Sequence, residues 1–145
     1  MKTYVSYDQF HQHTILLSKK LKMFEFDYIV GPSRGGLLPG VILSHELGIP
    51  FRPLLWSTRD HSQQTHDTIV VEDLKDGYSI LLVDDINDTG RTFVELIEDW
   101  EYTNDCAGTL TIASVFQRYN TKNPSNYYQV LVESDSYIVF PWEKD

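Results

Sequence analysis

Apolar positions along this chain follow two alternating periods. Tyr7, Phe10, Thr14, Leu17 and Leu21 recur at helical spacing between Asp8 and Lys22, with lysines gathered at the end where the helix dipole favours them. Tyr28-Ile29-Val30 reads as a short strand, and a glycine-rich stretch separates it from a helix through Val41, Ile42 and His45 to Leu47, stopped by Gly48-Ile49-Pro50. Phe51 to Trp56 predicts a strand, and Ser57 to Thr68 then contains no apolar residue. Ile69-Val70-Val71 predicts an edge strand before the turn at Lys75-Asp76-Gly77. Ile80 to Val83 is an unbroken aliphatic run, which a strand buried on both faces requires. After Gly90 the period returns to helical at Phe93, Leu96, Ile97 and Trp100. Thr109 to Phe116 and Gln129 to Glu133 complete the predicted strands, and the tail from Ser136 to Trp142 is aromatic where most termini are polar. The alternation predicts an α/β domain with a parallel sheet covered by helices.

Two of these strand-to-helix junctions carry chemistry. The aliphatic strand ends in Asp84-Asp85 and continues Ile86-Asn87-Asp88-Thr89-Gly90-Arg91-Thr92. Thr89, Gly90, Arg91 and Thr92 offer hydroxyls, a residue that admits close approach, a cation and the free amides of a helix start, which suit a monophosphate. Asp84, Asp85 and Asp88 place the opposite charge beside it, which is intelligible if they hold a metal or bond sugar hydroxyls. A phosphorylated sugar with Mg2+ satisfies both halves. The earlier junction, Gly31-Pro32-Ser33-Arg34-Gly35-Gly36, is neither a Walker A nor a dinucleotide fingerprint. Its Ser33, Arg34, Gly35 and Gly36 still supply a cation and unobstructed amides for a second, more highly charged phosphate group.

Composition narrows the partners. The chain has 145 residues, suited to one domain over 1–145, and a net charge of −9 that repels nucleic acid. It has no long apolar run and no signal-like leader, so a cytoplasmic protein without membrane insertion is expected. The single Cys106 excludes an internal disulfide and reads as a small half-buried hydrophobe. His11 and His13, two apart on the first helix, point to different sides and read as exposed polar residues. His45 reads as a packed or capping residue, and His61 and His66 have no third metal ligand nearby.

The string from Ile80 to Thr92 resembles the phosphoribosyl-pyrophosphate signature of the type I phosphoribosyltransferases, which move ribose 5-phosphate from pyrophosphate to a nitrogenous base. Ser33-Arg34-Gly35-Gly36-Leu37 with Pro39-Gly40 is similar to that family's pyrophosphate loop, in the version of the bacterial xanthine-guanine enzymes. The resemblance implies the type I phosphoribosyltransferase fold, a central mainly parallel sheet flanked by helices, with a flap at about 57–68 and a small C-terminal hood at about 134–145. It implies that Asp84 and Asp85 bind the ribose hydroxyls directly or through Mg2+, that Asp88 handles the proton of the base, and that Asp88 to Thr92 hold the 5-phosphate. Arg118 matches by position and charge a cation, usually lysine, that donates to a purine 6-oxygen. Tyr137 would stack on the base, with backbone groups of Ile138 and Glu143 facing its edge; on the residues alone, docking of the tail into the core is the simpler reading. Where relatives often carry a basic residue later in the flap, His61 to Leu74 has no Lys or Arg, leaving Arg59, His61 or His66 to substitute.

The expected function is therefore purine salvage by a glycosyltransferase that joins the phosphoribosyl group to guanine, xanthine or hypoxanthine, acting as a homo-oligomer, dimer or tetramer. Three rivals remain: a regulator of the same fold sensing the phosphosugar or a nucleotide, a transferase for a non-purine acceptor, and a receiver-type signalling domain. The last places paired acids after its first strand and leaves both phosphate loops unexplained.

Overall fold

The computed structural model describes residues 1–58 and 63–143. Its centre is β4, Ser79–Asn87, where the aliphatic run alternates between two cores. Ile80 and Leu82 face one and Leu81 and Val83 the other, all fully buried. Around it lie β2 (Tyr28–Pro32), β3 (Phe51–Leu54), β5 (Thr109–Arg118) and β6 (Tyr127–Val132), in the order β3-β2-β4-β5-β6. Every pairing in this sheet is parallel.

The helices divide between the faces. On one, Phe10, Leu17 and Leu21 of α1 (Tyr7–Leu21) and Leu43 of α2 (Leu37–Leu47) pack on Leu81 and Val83. On the other, Val70 and Leu74 of α3 (Thr68–Lys75) and Phe93, Leu96 and Trp100 around α4 (Arg91–Asp99) pack on Ile80 and Leu82. Among the described residues no helix is long and apolar enough to cross a membrane.

Three expectations change. Ile69-Val70-Val71 is the start of α3 and not an edge strand. Asp67 caps it by accepting from the Val70 N–H at 3.1 Å, and burial of Val70 and Leu74, four apart, outweighs the β-branched propensity. A short strand that periodicity did not predict, β1 (Lys2–Tyr4), pairs in parallel with β7 (Tyr137–Val139), so both chain ends build the hood. His11 is exposed, whereas His13 is half-buried with its ring edge-on to Phe116 at 5.6 Å.

The hood docks through aromatic rings. Phe10 lies edge-on to Phe140 at 5.7 Å and to Trp142 at 5.0 Å, and Trp142 stacks on Phe140 at 4.8 Å. Edge-to-face geometry adds to the burial of these rings. Phe10→Ala is expected to lower stability in urea by about 3–5 kcal/mol, the usual scale for truncating a buried phenylalanine; a loss below about 1 kcal/mol would show that the hood is held by its strand pairing alone.

Candidate active site

The chain reverses its direction of travel across the sheet at β2 and β4. From β2 it steps outward to β3, then returns to β4 and continues through β5 to β6 on the other side. The loops after β2 and β4 therefore diverge at the carboxyl edge, leaving a crevice of the kind in which open α/β sheets bind ligands. Its volume is about 1390 Å³.

Both loops lead into helix starts at this crevice. α2 follows Gly36 and α4 follows Gly90, and neither glycine supplies a side-chain cap; the Leu37 N–H donates to the Arg34 carbonyl at 3.1 Å and the Arg91 N–H to Thr89 Oγ1 at 3.2 Å. The helices that do not begin there are capped: Ser6 and Gln9 form a capping box on α1, and Asp67 caps α3. Exposed amides at the positive end of a helix favour an anion. Gly90 starts α4 from the left-handed region at φ +85°, which suits glycine.

The two carboxylates sit against the first loop. A Cβ on Gly35 would lie 2.8 Å from Oδ1 of both Asp84 and Asp85, and one on Gly36 would lie 2.7 Å from the Val83 carbonyl. Only glycine lets the loop come this close to the acids. The Ser33–Arg34 peptide is cis. Asp84, 8% exposed, accepts from the Asp85 N–H at 2.9 Å, and Asp85 accepts from the Ile86 N–H at 2.7 Å. Burial, reinforced by the charge of Asp85, holds the Asp84 carboxyl well above the usual carboxylate range. Burial also pushes Asp85 up to about 6, and the charge of Glu143 adds to the shift while hydrogen bonds oppose it.

Ser33, Arg34, Gly35, Asp84, Asp85, Asp88, Thr89, Gly90, Arg91 and Thr92 line the crevice, and Arg118, Tyr137, Ile138 and Glu143 close it from the hood side. Gly36 does not line it and donates its N–H to the Pro32 carbonyl at 2.8 Å, so its part is close packing and not a free amide. Arg118 is more engaged than the sequence suggested. Its Nε donates to Asp88 Oδ1 at 2.7 Å, and its Nη1 to the carbonyls of Glu133 at 2.8 Å and Ser136 at 2.6 Å. One guanidinium thus ties Asp88 to the hood, a fork that a lysine could not reproduce. Tyr137 is 52% exposed, its ring unburied by the docking of the tail.

Sequence reasoning passed over Glu95. It accepts from Arg91 Nε at 2.9 Å, Trp56 Nε1 at 3.3 Å and Gln64 Nε2 at 3.1 Å, linking the second loop to the segment after β3. Spacing gave one signal, since Glu95 stands four residues after Arg91 on a helix. Thr92 also meets Thr58 at 2.6 Å between hydroxyls. His66 pairs with Asp99 at 2.8 Å, and Arg59 and His61 lie outside the described residues.

The sequence profile of the phosphoribosyl transferase domain matches residues 6–144. A xanthine-guanine phosphoribosyltransferase of Idiomarina loihiensis is 28% identical over 145 residues, covering 97% of this chain and 86% of the relative. The crystal structure of a purine phosphoribosyltransferase from Pyrococcus horikoshii superposes with a TM-score of 0.78 at 31% identity, covering 99% of this chain and 95% of that one. A Helicobacter pylori xanthine-guanine-hypoxanthine phosphoribosyltransferase shares the fold with a TM-score of 0.72 at 18% identity, covering 99% and 94% of the two chains.

The acid pair makes stability depend on pH in a direction opposite to that of a salt-bridged carboxylate. Both carboxyls are raised above the ordinary 3.8, Asp85 to about 6, so from about pH 4 to at least about 6 the folded ligand-free protein binds more protons than the unfolded chain. Its contribution to stability is thus lost as pH rises through that window. Asp84→Asn, which keeps an acceptor for the Asp85 N–H and removes the charge, should stabilise the ligand-free protein at pH 7. Thermal melts from pH 4 to 8 should show this advantage shrinking toward the acid end; a constant or reversed difference would contradict the assignment.

Proposed function

The chain belongs to the phosphoribosyl transferase domain family, and on that premise we propose that it transfers 5-phosphoribosyl from phosphoribosyl pyrophosphate to a 6-oxopurine, releasing pyrophosphate. Guanine, xanthine and hypoxanthine are the acceptors. One observation carries the reading: two uncapped helix starts, three aspartates and an exposed tyrosine line a single crevice. The likeness to the Idiomarina xanthine-guanine and the Pyrococcus purine phosphoribosyltransferases supports the choice of acceptor.

In this reading the phosphosugar spans the crevice. Thr89 to Thr92 and the start of α4 hold its 5-phosphate, while Ser33, Arg34 and Gly35 hold the pyrophosphate; Gly36 lets that loop pack on β4. Asp84 and Asp85 face the ribose hydroxyls. Their raised affinity for protons marks a dianionic pair that a divalent ion would relieve, and Mg2+ commonly takes one or two carboxylates together with substrate oxygens. When bound, Mg2+ would neutralise charge on the departing pyrophosphate.

The bond from C1 of the ribose to pyrophosphate breaks, its electron pair leaving with pyrophosphate, and a ring nitrogen of the purine forms the new bond to C1. Arg34 stabilises the leaving charge. The proton on the attacking nitrogen passes to Asp88, whose carboxylate Arg118 orients. Arg118 Nη2, without a hydrogen bond among the described residues, faces the 6-oxygen. Tyr137 stacks on the purine, a contact of about 1–3 kcal/mol in related settings, and the backbone of Ile138 and Glu143 borders the base.

Two substitutions separate these roles. In a spectrophotometric assay with guanine, xanthine, hypoxanthine or adenine and Mg2+-phosphoribosyl pyrophosphate, Asp88→Asn should reduce kcat by about 10²–10⁴, the span of general-base catalysis, with a phosphosugar KM changed only a few-fold. Equal loss in both would remove the proton-transfer role. Arg34→Ala should weaken binding of phosphoribosyl pyrophosphate and of pyrophosphate while leaving a purine 5-monophosphate bound as before; calorimetry showing uniform weakening would contradict the loop assignment.

A further inference from the structure

Asn87, the last residue of β4, belongs to neither phosphate loop as read so far. Its side chain is buried, 2% exposed, at the floor of the crevice. The amide nitrogen donates to the Asn123 carbonyl at 2.8 Å and to Ser125 Oγ at 3.1 Å, and approaches Gln117 Oε1 at 3.4 Å. Its Oδ1 is buried with no partner among the described residues. An aliphatic side chain at this strand position would leave no acceptor stranded, so the amide is present at a cost. What it gains is a grip on residues 123–125.

Other contacts hold the same segment. Gln117 Oε1 accepts from the Ser125 N–H at 2.7 Å, and the hydroxyls of Ser114 and Ser125 meet at 2.8 Å, all three side chains being buried. The segment so fixed stands directly behind the second loop. Asn123 Nδ2 reaches the Thr89 carbonyl at 3.4 Å, and a Cβ on Gly90 would lie 2.4 Å from the Asn123 Cβ. Thr89 and Gly90 are therefore backed by a connection whose position depends on Asn87.

We propose that Asn87 is a positioning residue for the 5-phosphate subsite: through Asn123 and Ser125 it seats the β5–β6 connection behind Thr89 and Gly90 and so fixes the amides that start α4. The proposal rests on the reading of residues 88–92 as the phosphate cradle. It assigns the buried polar cluster a local duty, distinct from general support of the sheet, because its contacts reach one loop of the crevice and not the other.

The test compares ligands that occupy different subsites. Calorimetry on the whole chain with ribose 5-phosphate and with Mg2+-pyrophosphate should show that Asn87→Leu weakens the former about tenfold, the effect of losing one to two buried hydrogen bonds, and the latter less than twofold. Asn87→Thr, which keeps a hydroxyl donor on a β-branched side chain, should recover part of the lost affinity. If Asn87→Leu does not fold, Ser125→Ala takes its place with the same expected split. Equal weakening of both ligands reduces Asn87 to fold support, and unchanged ribose 5-phosphate binding removes the clamp; either overturns the proposal while leaving the cradle intact. Failure of the unaltered protein to bind ribose 5-phosphate would overturn the cradle reading, and the proposal with it.

Discussion

Two neighbouring carboxyl groups held at the end of a buried strand set the terms for the rest of this structure. Asp84 and Asp85 end a strand whose aliphatic residues are buried on both sides, so the carboxylates cannot retreat into water without dismantling the centre of the sheet. Gly35 comes within contact of both, which brings the amides and the cation of the first loop alongside. The paired acids and the cation of the first loop thus border the same crevice.

The sheet turns this local cluster into a site with two ends. Because β2 and β4 are neighbours and the chain leaves them in opposite directions, the loops that follow open toward each other. The N-cap residues of the cleft's two helices are glycines without a side-chain cap, while the other two helices are capped by Ser6 and Asp67. Arg118 adds the third side: by holding Asp88 and the carbonyls of Glu133 and Ser136 at once, it fixes the position of the hood relative to the cleft.

Much of this was legible in the sequence because it is written in short range. The aliphatic run, the acid pair and the glycine loops are contiguous, and strand-to-helix periodicity places them at the carboxyl edge of a sheet. What escaped depends on contacts between distant residues. Ile69-Val70-Val71 has strand composition, yet Asp67 and the buried Val70–Leu74 pair make it a helix. The exposed strand β1 exists through its pairing with β7, more than 130 residues away along the chain. The polar grip of Asn87 and the hub at Glu95 follow from burial and topology, which residue type at one position does not disclose.

The helix starts at the crevice also bear on how long the molecule survives. An anion that binds there only in the folded state adds stability, by about 2.7 kcal/mol at a concentration one hundred times its Kd. Occupancy of the crevice then lowers the fraction unfolded, and with it the exposure of the chain to proteases.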